Sequence, residues 1–210
     1  EPGRDPYFQH FYRIGFDGKG LTRLTPEPAN HGVALSPDGR FFTDTWSTMD
    51  TPPVTVVRDR NGRVVQPLEQ ADIRALVASG WRAPVPVTVK ARDGVTDIYG
   101  VMYLPSRLDS ARKYPVVNHI YPGPQSGSVG PRSFIPARGD NQALAELGFI
   151  VVELDGMGTP GRSKTFRDFY YGRMNDNTIP DQVAGMQELA RRYPFIDIEK
   201  VGIWGHSGGG

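Results

Sequence analysis

Near the end of the 210-residue chain, Gly205-His206-Ser207-Gly208-Gly209 fits the pattern G-x-S-x-G. Serine is the member of that pattern able to do chemistry, and its hydroxyl needs a neighbouring base before it can attack a carbonyl. The pattern is that of a nucleophile elbow, a sharp strand-to-helix turn that lifts the serine Oγ clear of the backbone. The residues two before and two after the serine approach each other too closely to carry side chains, and Gly205 and Gly209 meet that demand.

The chain holds four histidines as candidate bases. His206 adjoins the serine, but on so tight a turn its side chain is expected to point away from Oγ, as packing or pocket lining. His119 lies two positions before Tyr121 and so on one strand face with it. A strand histidine satisfied by its own partners is the expectation there. His10 and His31 fall in a hairpin-rich region and read as structural. Asp155 stands at a strand end upstream of the serine and is read as shaping a loop. Arg162, Lys164 and Arg167 read as a solvated loop face. Gly156-Met157-Gly158-Thr159-Pro160-Gly161 matches G-x-G-x-x-G after a strand. A dinucleotide site would need the last glycine inside a regular helix, which Pro160 and the polar, aromatic "RSKTFRDFYYGRM" oppose.

The elements that must position Ser207 come in a regular order. "YPVVNHIYPG" reads as a strand, "NQALAELG" as a short helix closed by Gly148, and "FIVVELDG" as a strand buried on both faces. "TIPDQVAGMQELARRYP" then reads as an amphipathic helix with Thr178 as N-cap and Pro180 in the first turn. Its apolar face is Val183, Met186, Leu189 and Ala190, and Pro194 ends it. "VGIW" is the strand that leads into the elbow. Strand, helix, strand, helix, strand predicts a parallel α/β sheet with the elbow at the carboxyl end of a central strand.

The first third is patterned differently. Apolar residues alternate around Asp17-Gly18, Asp38-Gly39 and Asn61-Gly62, turn dipeptides spaced 21 and 23 residues apart. Two such hairpins make a four-stranded unit of the length of a propeller blade. Residues 1–67 are therefore expected to be the C-terminal part of a β-propeller and residues 68–210 the N-terminal part of the α/β domain. About one and a half blades cannot close a propeller, so the chain is expected to begin in mid-domain. A net charge of +1 with interspersed signs offers no basic stripe for nucleic acid. The absence of cysteine excludes a cysteine nucleophile, thiolate metal sites and disulfides within these residues, and leaves the compartment open. No apolar run is long enough for a membrane-spanning helix.

"HGVALSPDGRFF", the linker "ADIRALVASG", the hairpin "VTVKARDGVTDIYGVMYLP", then "YPVVNHIYPGP", "VVELDGMGTPGR" and "VGIWGHSGGG" appear in one order. Together they resemble the prolyl oligopeptidase family of serine peptidases, nearest its dipeptidyl peptidase IV-like branch. The resemblance implies a propeller capping an α/β-hydrolase domain, short-peptide substrates often cut after proline or a small residue, no cofactor and no metal. It leaves room for a homodimer. Ser207 matches the nucleophile, the Gly208 backbone N–H one oxyanion-hole donor, and Tyr121 the hydroxyl that supplies the other. The branch rests on Tyr121, since the acylaminoacyl peptidase-like branch has "HGGP" at that point. Two positions depart from the pattern: Met157 replaces a frequent arginine, and Gly208 a frequent bulky residue. The triad order of this fold is serine, acid, histidine, so acid and base are expected after residue 210, and these residues alone are expected to be inactive. A carboxylesterase of the same fold and a catalytically dead binding module remain alternatives.

Overall fold

The computed structural model describes residues 5–173 and 176–210. They form two compact units, one running to Ser79 and taking in Pro131–Ile135, the other comprising Gly80–Gly130 and Pro136–Gly210.

In the first unit, β1 (Tyr12–Arg13) and β2 (Thr22–Arg23) make a short antiparallel pair. β3 (Asn30–Leu35), β4 (Phe41–Ser47), β5 (Val54–Asp59) and β6 (Val64–Gln70) form an antiparallel meander in sequence order. The three expected hairpins are present, with Gly18, Gly39 and Gly62 all at positive φ in their turns. The first is much shorter than its alternation suggests, and Phe16 beside its turn is fully exposed. α1 (Arg74–Ala78) follows.

The blade-like sheet is organised around buried charge. Asp44 points inward from β4, and the Arg58 guanidinium from β5 donates through Nε to Asp44 Oδ2 at 2.8 Å and through Nη2 to both Glu27 oxygens at 2.7 Å. Nη1 donates to the Gly62 carbonyl at 3.0 Å, which ties the network to the turn. His31 sets Nδ1 2.8 Å from Asp44 Oδ1 and Nε2 3.0 Å from the Glu27 carbonyl oxygen, with its side chain fully enclosed. Glu27, His31 and Asp44 lie close enough to hold a metal ion, but the guanidinium already supplies the positive charge there. Burying these ions is tolerable because each has partners.

In the second unit, β7 (Val85–Lys90), β8 (Asp97–Tyr103), β9 (Tyr114–His119), β10 (Ile150–Asp155) and β11 (Ile196–Trp204) form a sheet in the order β11-β9-β10-β8-β7. β11, β9 and β10 are parallel, as their helical crossovers require; β8 runs antiparallel to β10 and β7. The sheet is thus mixed and not wholly parallel, because the leading β7–β8 hairpin has only a tight turn to reverse the chain. All six residues of central β10 are buried. α2 (Asn141–Glu146), α3 (Lys164–Arg167) and α4 (Ile179–Arg192) complete the unit.

α4 packs Met186 and Leu189 into the core with Val87, Val89, Ile98 and Leu154. Val183, expected on that face, is exposed. Gly185 takes the contact in its place: a Cβ there would stand 2.6 Å from Leu154 Cδ1, so the helix axis lies close to the sheet. Thr178 occupies the N-cap position, but at φ 61° and without a side-chain cap bond. Asp181 in the first turn instead accepts the backbone N–H groups of Arg92 and Met157, at 3.0 and 2.8 Å.

Removing one member of the Arg58 network strands the others without water. Asp44→Ala in the full-length protein is expected to cost about 3–5 kcal/mol of unfolding free energy, while Asp38→Ala, which removes the exposed turn pair with Arg40, changes it little. Urea unfolding of the two variants checks the contrast.

Candidate active site

Parallel pairing decides which side chains meet. β9 and β11 are in a register that sets His119 beside Trp204, and the Ile120 N–H donates to the Trp204 carbonyl at 3.1 Å. Tyr121 follows β9 by two residues and Ser207 follows β11 by three, so both leave the sheet at the same carboxyl edge.

Ser207 sits at φ 54°, a left-handed conformation that a residue with a Cβ adopts at a cost of roughly 1–2 kcal/mol. Ser207–Gly209 form a 3-10 turn closed by the Gly209 N–H on the His206 carbonyl at 2.9 Å. A Cβ on Gly205 would lie 2.5 Å from both the Gly209 and Ile120 oxygens, and one on Gly209 would lie 2.1 Å from the Ile120 oxygen. The backbone of the elbow therefore rests directly on the end of β9. Gly208 is different, since its Cβ would meet Tyr121 only at ordinary contact, 3.6 Å from Cζ and 3.8 Å from the hydroxyl. A Cβ therefore fits there without a clash, and the phenol oxygen stands beside the residue that follows the serine.

Tyr121 is half-buried and held from several sides. Its N–H donates to Ser128 Oγ at 2.7 Å, and Asp155 Oδ1 accepts the N–H groups of Ser128 and Val129 at 2.6 and 3.2 Å. Asp155 thus shapes the loop that grips Tyr121. The buried Tyr170 hydroxyl donates to the Pro122 carbonyl at 2.7 Å, and Gln125 Nε2 donates to the Tyr121 hydroxyl at 3.0 Å. Burial pushes the Tyr170 phenol above its ordinary pKa.

His119 has its own partners. Nδ1 lies 2.7 Å from Asn141 Oδ1 and 3.2 Å from Glu153 Oε1, and the ring stacks on Trp204 with centroids 4.8 Å apart and planes within 11°. Glu153 is buried on β10, where Arg138 Nε donates to its other oxygen at 3.0 Å and the Tyr103 hydroxyl approaches at 3.4 Å. The Glu153 bond raises the His119 pKa, against partial desolvation. Burial, with the Glu153 charge beside it, pushes the Tyr103 phenol up as well. His206 is exposed. Neither His119 nor His206 is hydrogen-bonded to Ser207 among the described residues.

The glycine-rich stretch after β10 is closed to a dinucleotide. A Cβ on Gly158 would overlap the Tyr170 ring at 1.8 Å, and the Met157 N–H is already given to Asp181. The helix that follows, α3, has four residues and is capped by Ser163, whose Oγ accepts the Phe166 N–H at 3.2 Å. Of the three cations expected on a solvated face, Lys164 and Arg167 are exposed. Arg162 is not: it donates to the Asp97 carbonyl at 2.8 Å and lies over the Phe166 and Tyr99 rings at 4.3 and 5.1 Å. Its flat guanidinium is covered by aromatic faces.

Sequence reasoning passed over Glu153, Asn141, Ser128 and Gln125. Glu153 alone left a trace, as an acid inside the otherwise apolar "FIVVELD". The others are ordinary polar residues whose partners lie 4 to 22 positions away.

Two outcomes follow from this geometry. Gly209→Ala forces a Cβ into a carbonyl oxygen and is expected to lower stability by more than about 1–3 kcal/mol, whereas Gly208→Ala is tolerated; thermal unfolding of the full-length variants measures both. His119 contributes through a raised folded pKa, so its stabilisation is complete below its unfolded pKa of about 6.5 and is lost as pH rises through the higher folded value. The stability gap between wild type and His119→Gln is therefore expected to narrow from pH 6 to pH 9, as read by denaturant titration.

Comparison with known proteins agrees at both ends of the chain. Residues 137–210 match the model of the prolyl oligopeptidase family, and residues 2–53 that of the dipeptidyl peptidase IV N-terminal region. Human dipeptidyl peptidase 8 is 32% identical over 98% of this chain and 24% of its own length. The crystal structure of Porphyromonas gingivalis dipeptidyl peptidase 4 superposes with a TM-score of 0.79 at 26% identity, over 97% of this chain and 29% of that one. A Bacteroides ovatus protein assigned as a dipeptidyl aminopeptidase IV gives 0.81 at 29% identity, over 94% and 28%. The chain thus spans about a quarter of the length of the relatives it matches. Its mixed sheet is the first part of an α/β-hydrolase and its four-stranded sheet the end of a β-propeller, and the chain is similar to the prolyl oligopeptidase family, with dipeptidyl peptidase IV-like proteins among its matches.

Proposed function

We propose that the protein is a serine-type peptidase that releases dipeptides from short peptides, with a preference for proline or a small residue before the cleaved bond. The observation that carries this reading is Ser207 at positive φ, in a turn framed by Gly205 and Gly209, with the Tyr121 hydroxyl beside Gly208. Peptidases named for dipeptide release among its relatives support the substrate class.

On this reading Ser207 Oγ attacks the peptide carbonyl as a base takes its proton. The carbonyl oxygen gains the charge, and the Tyr121 hydroxyl and the Gly208 N–H donate to it. Collapse expels the amine, which receives the proton from the base, and leaves an acyl-enzyme on Ser207 that water hydrolyses by the same route. In the family order of serine, acid and histidine, the base and its acid follow the nucleophile in sequence. Residues 1–210 hold neither after Ser207, so that segment alone is expected to turn over no peptide.

In the full-length protein, Ser207→Ala is expected to abolish labelling by a fluorophosphonate probe and dipeptide release, with unfolding nearly unchanged. Tyr121→Phe, which keeps the ring, is expected to lower kcat by about 10²–10³ with little change in KM. Steady-state kinetics on a short peptide and on a p-nitrophenyl ester check both. Parental turnover by the alanine variant overturns the nucleophile, and ester turnover without peptide turnover makes the protein an esterase.

A further inference from the structure

A phenol carries one proton and has to place it somewhere. The Tyr121 oxygen accepts the Gln125 side-chain N–H at 3.0 Å, so on that side it is an acceptor and its own O–H points elsewhere. The same oxygen stands 3.8 Å from the site a Gly208 Cβ would occupy, on the elbow side.

The loop between the two residues is built for this contact. Gly123 lies against the phenol ring and the amide together: a Cβ there would be 2.7 Å from Tyr121 Cε1, 3.0 Å from Gln125 Oε1 and 3.1 Å from Nε2. Any other residue at 123 would push the amide off the phenol. Pro122 and Pro124 flank that glycine, each with φ fixed by its ring, and the Pro122 carbonyl is anchored by the Tyr170 hydroxyl. Gln125 itself is exposed, so no core packing depends on it.

We propose that Gln125 is a positioning residue that aims the Tyr121 proton at the reaction centre. This rests on the oxyanion role given to Tyr121 above. Donation into the phenol oxygen excludes the rotamer in which the proton turns to Gln125, and it polarises the O–H. The chain amide N–H to phenol O–H to developing oxyanion then strengthens as charge grows in the transition state. The effect belongs to kcat, because a neutral ground-state carbonyl draws little on it.

Three variants of the full-length protein test this. Gln125→Ala removes the donor and is expected to lower kcat about 5–20-fold with KM within about twofold, the scale of one hydrogen bond. Gln125→Glu keeps the shape but replaces the N–H by a carboxylate oxygen that captures the phenol proton. Its loss is expected to approach that of Tyr121→Phe, about 100-fold. In the Tyr121→Phe background neither Gln125 change is expected to cost more than about twofold, since no proton remains to aim. A side chain that merely stiffened the loop would lose activity with alanine, keep it with glutamate, and lose it equally in the Phe background. Wild-type kcat in Gln125→Glu alongside a 100-fold loss in Tyr121→Phe overturns the inference and leaves Tyr121 in place. A Tyr121→Phe enzyme within about threefold of wild type removes the oxyanion role and this inference with it.

Discussion

The contact on which the site depends is one of backbone on backbone: the elbow lies on the end of β9, with Gly209 so close to the Ile120 carbonyl that no side chain fits. Everything nearby follows from it. It holds the left-handed Ser207 in place, brings Gly208 against the Tyr121 ring, and continues the register in which His119 faces Trp204. A strained residue persists only where surrounding structure fixes it, and here the fixing element is a strand in the middle of a sheet.

Charge buried away from the serine does the supporting work. Glu153 and Asp155 are two positions apart on β10 and so lie on one face. Glu153 holds the histidine, and Asp155 holds the loop whose Ser128 takes the Tyr121 amide. In the first unit Arg58 plays the comparable part, with Asp44 and Glu27 gathered on its fully buried side chain and His31 held in turn by Asp44.

Much of this was legible in the sequence, for physical reasons. Glycines at 205 and 209 around a serine admit few backbone solutions, and the almost continuous apolar run of β10 reads as a strand covered on both faces. The turn dipeptides gave the three hairpins their places. What escaped reading depended on tertiary partners. Val183 had the right periodicity, yet the close approach at Gly185 left it outside. Thr178 looked like a cap, but its backbone turned left-handed and Asp181 was drawn to Arg92 and Met157. Arg162 read as solvated because its aromatic partners are four residues after it and 63 before it. His119 was legible as a satisfied strand histidine, though Glu153 as its partner was not.

The spacing of Glu153 and Asp155 also bears on how the sheet avoids mispairing. An apolar strand flanked by apolar strands has little to distinguish one alignment from the next, and parallel pairs form late because their partners are distant in sequence. Sliding β10 by one residue against β9 would turn both carboxylates to the opposite face, away from Arg138, His119 and the Ser128 amide, and strand two ions in hydrocarbon. Sliding it by two would keep the face but break every one of these pairs. The two acids therefore act as a vernier on the sheet, penalising misaligned species during folding far more than they stabilise the aligned one.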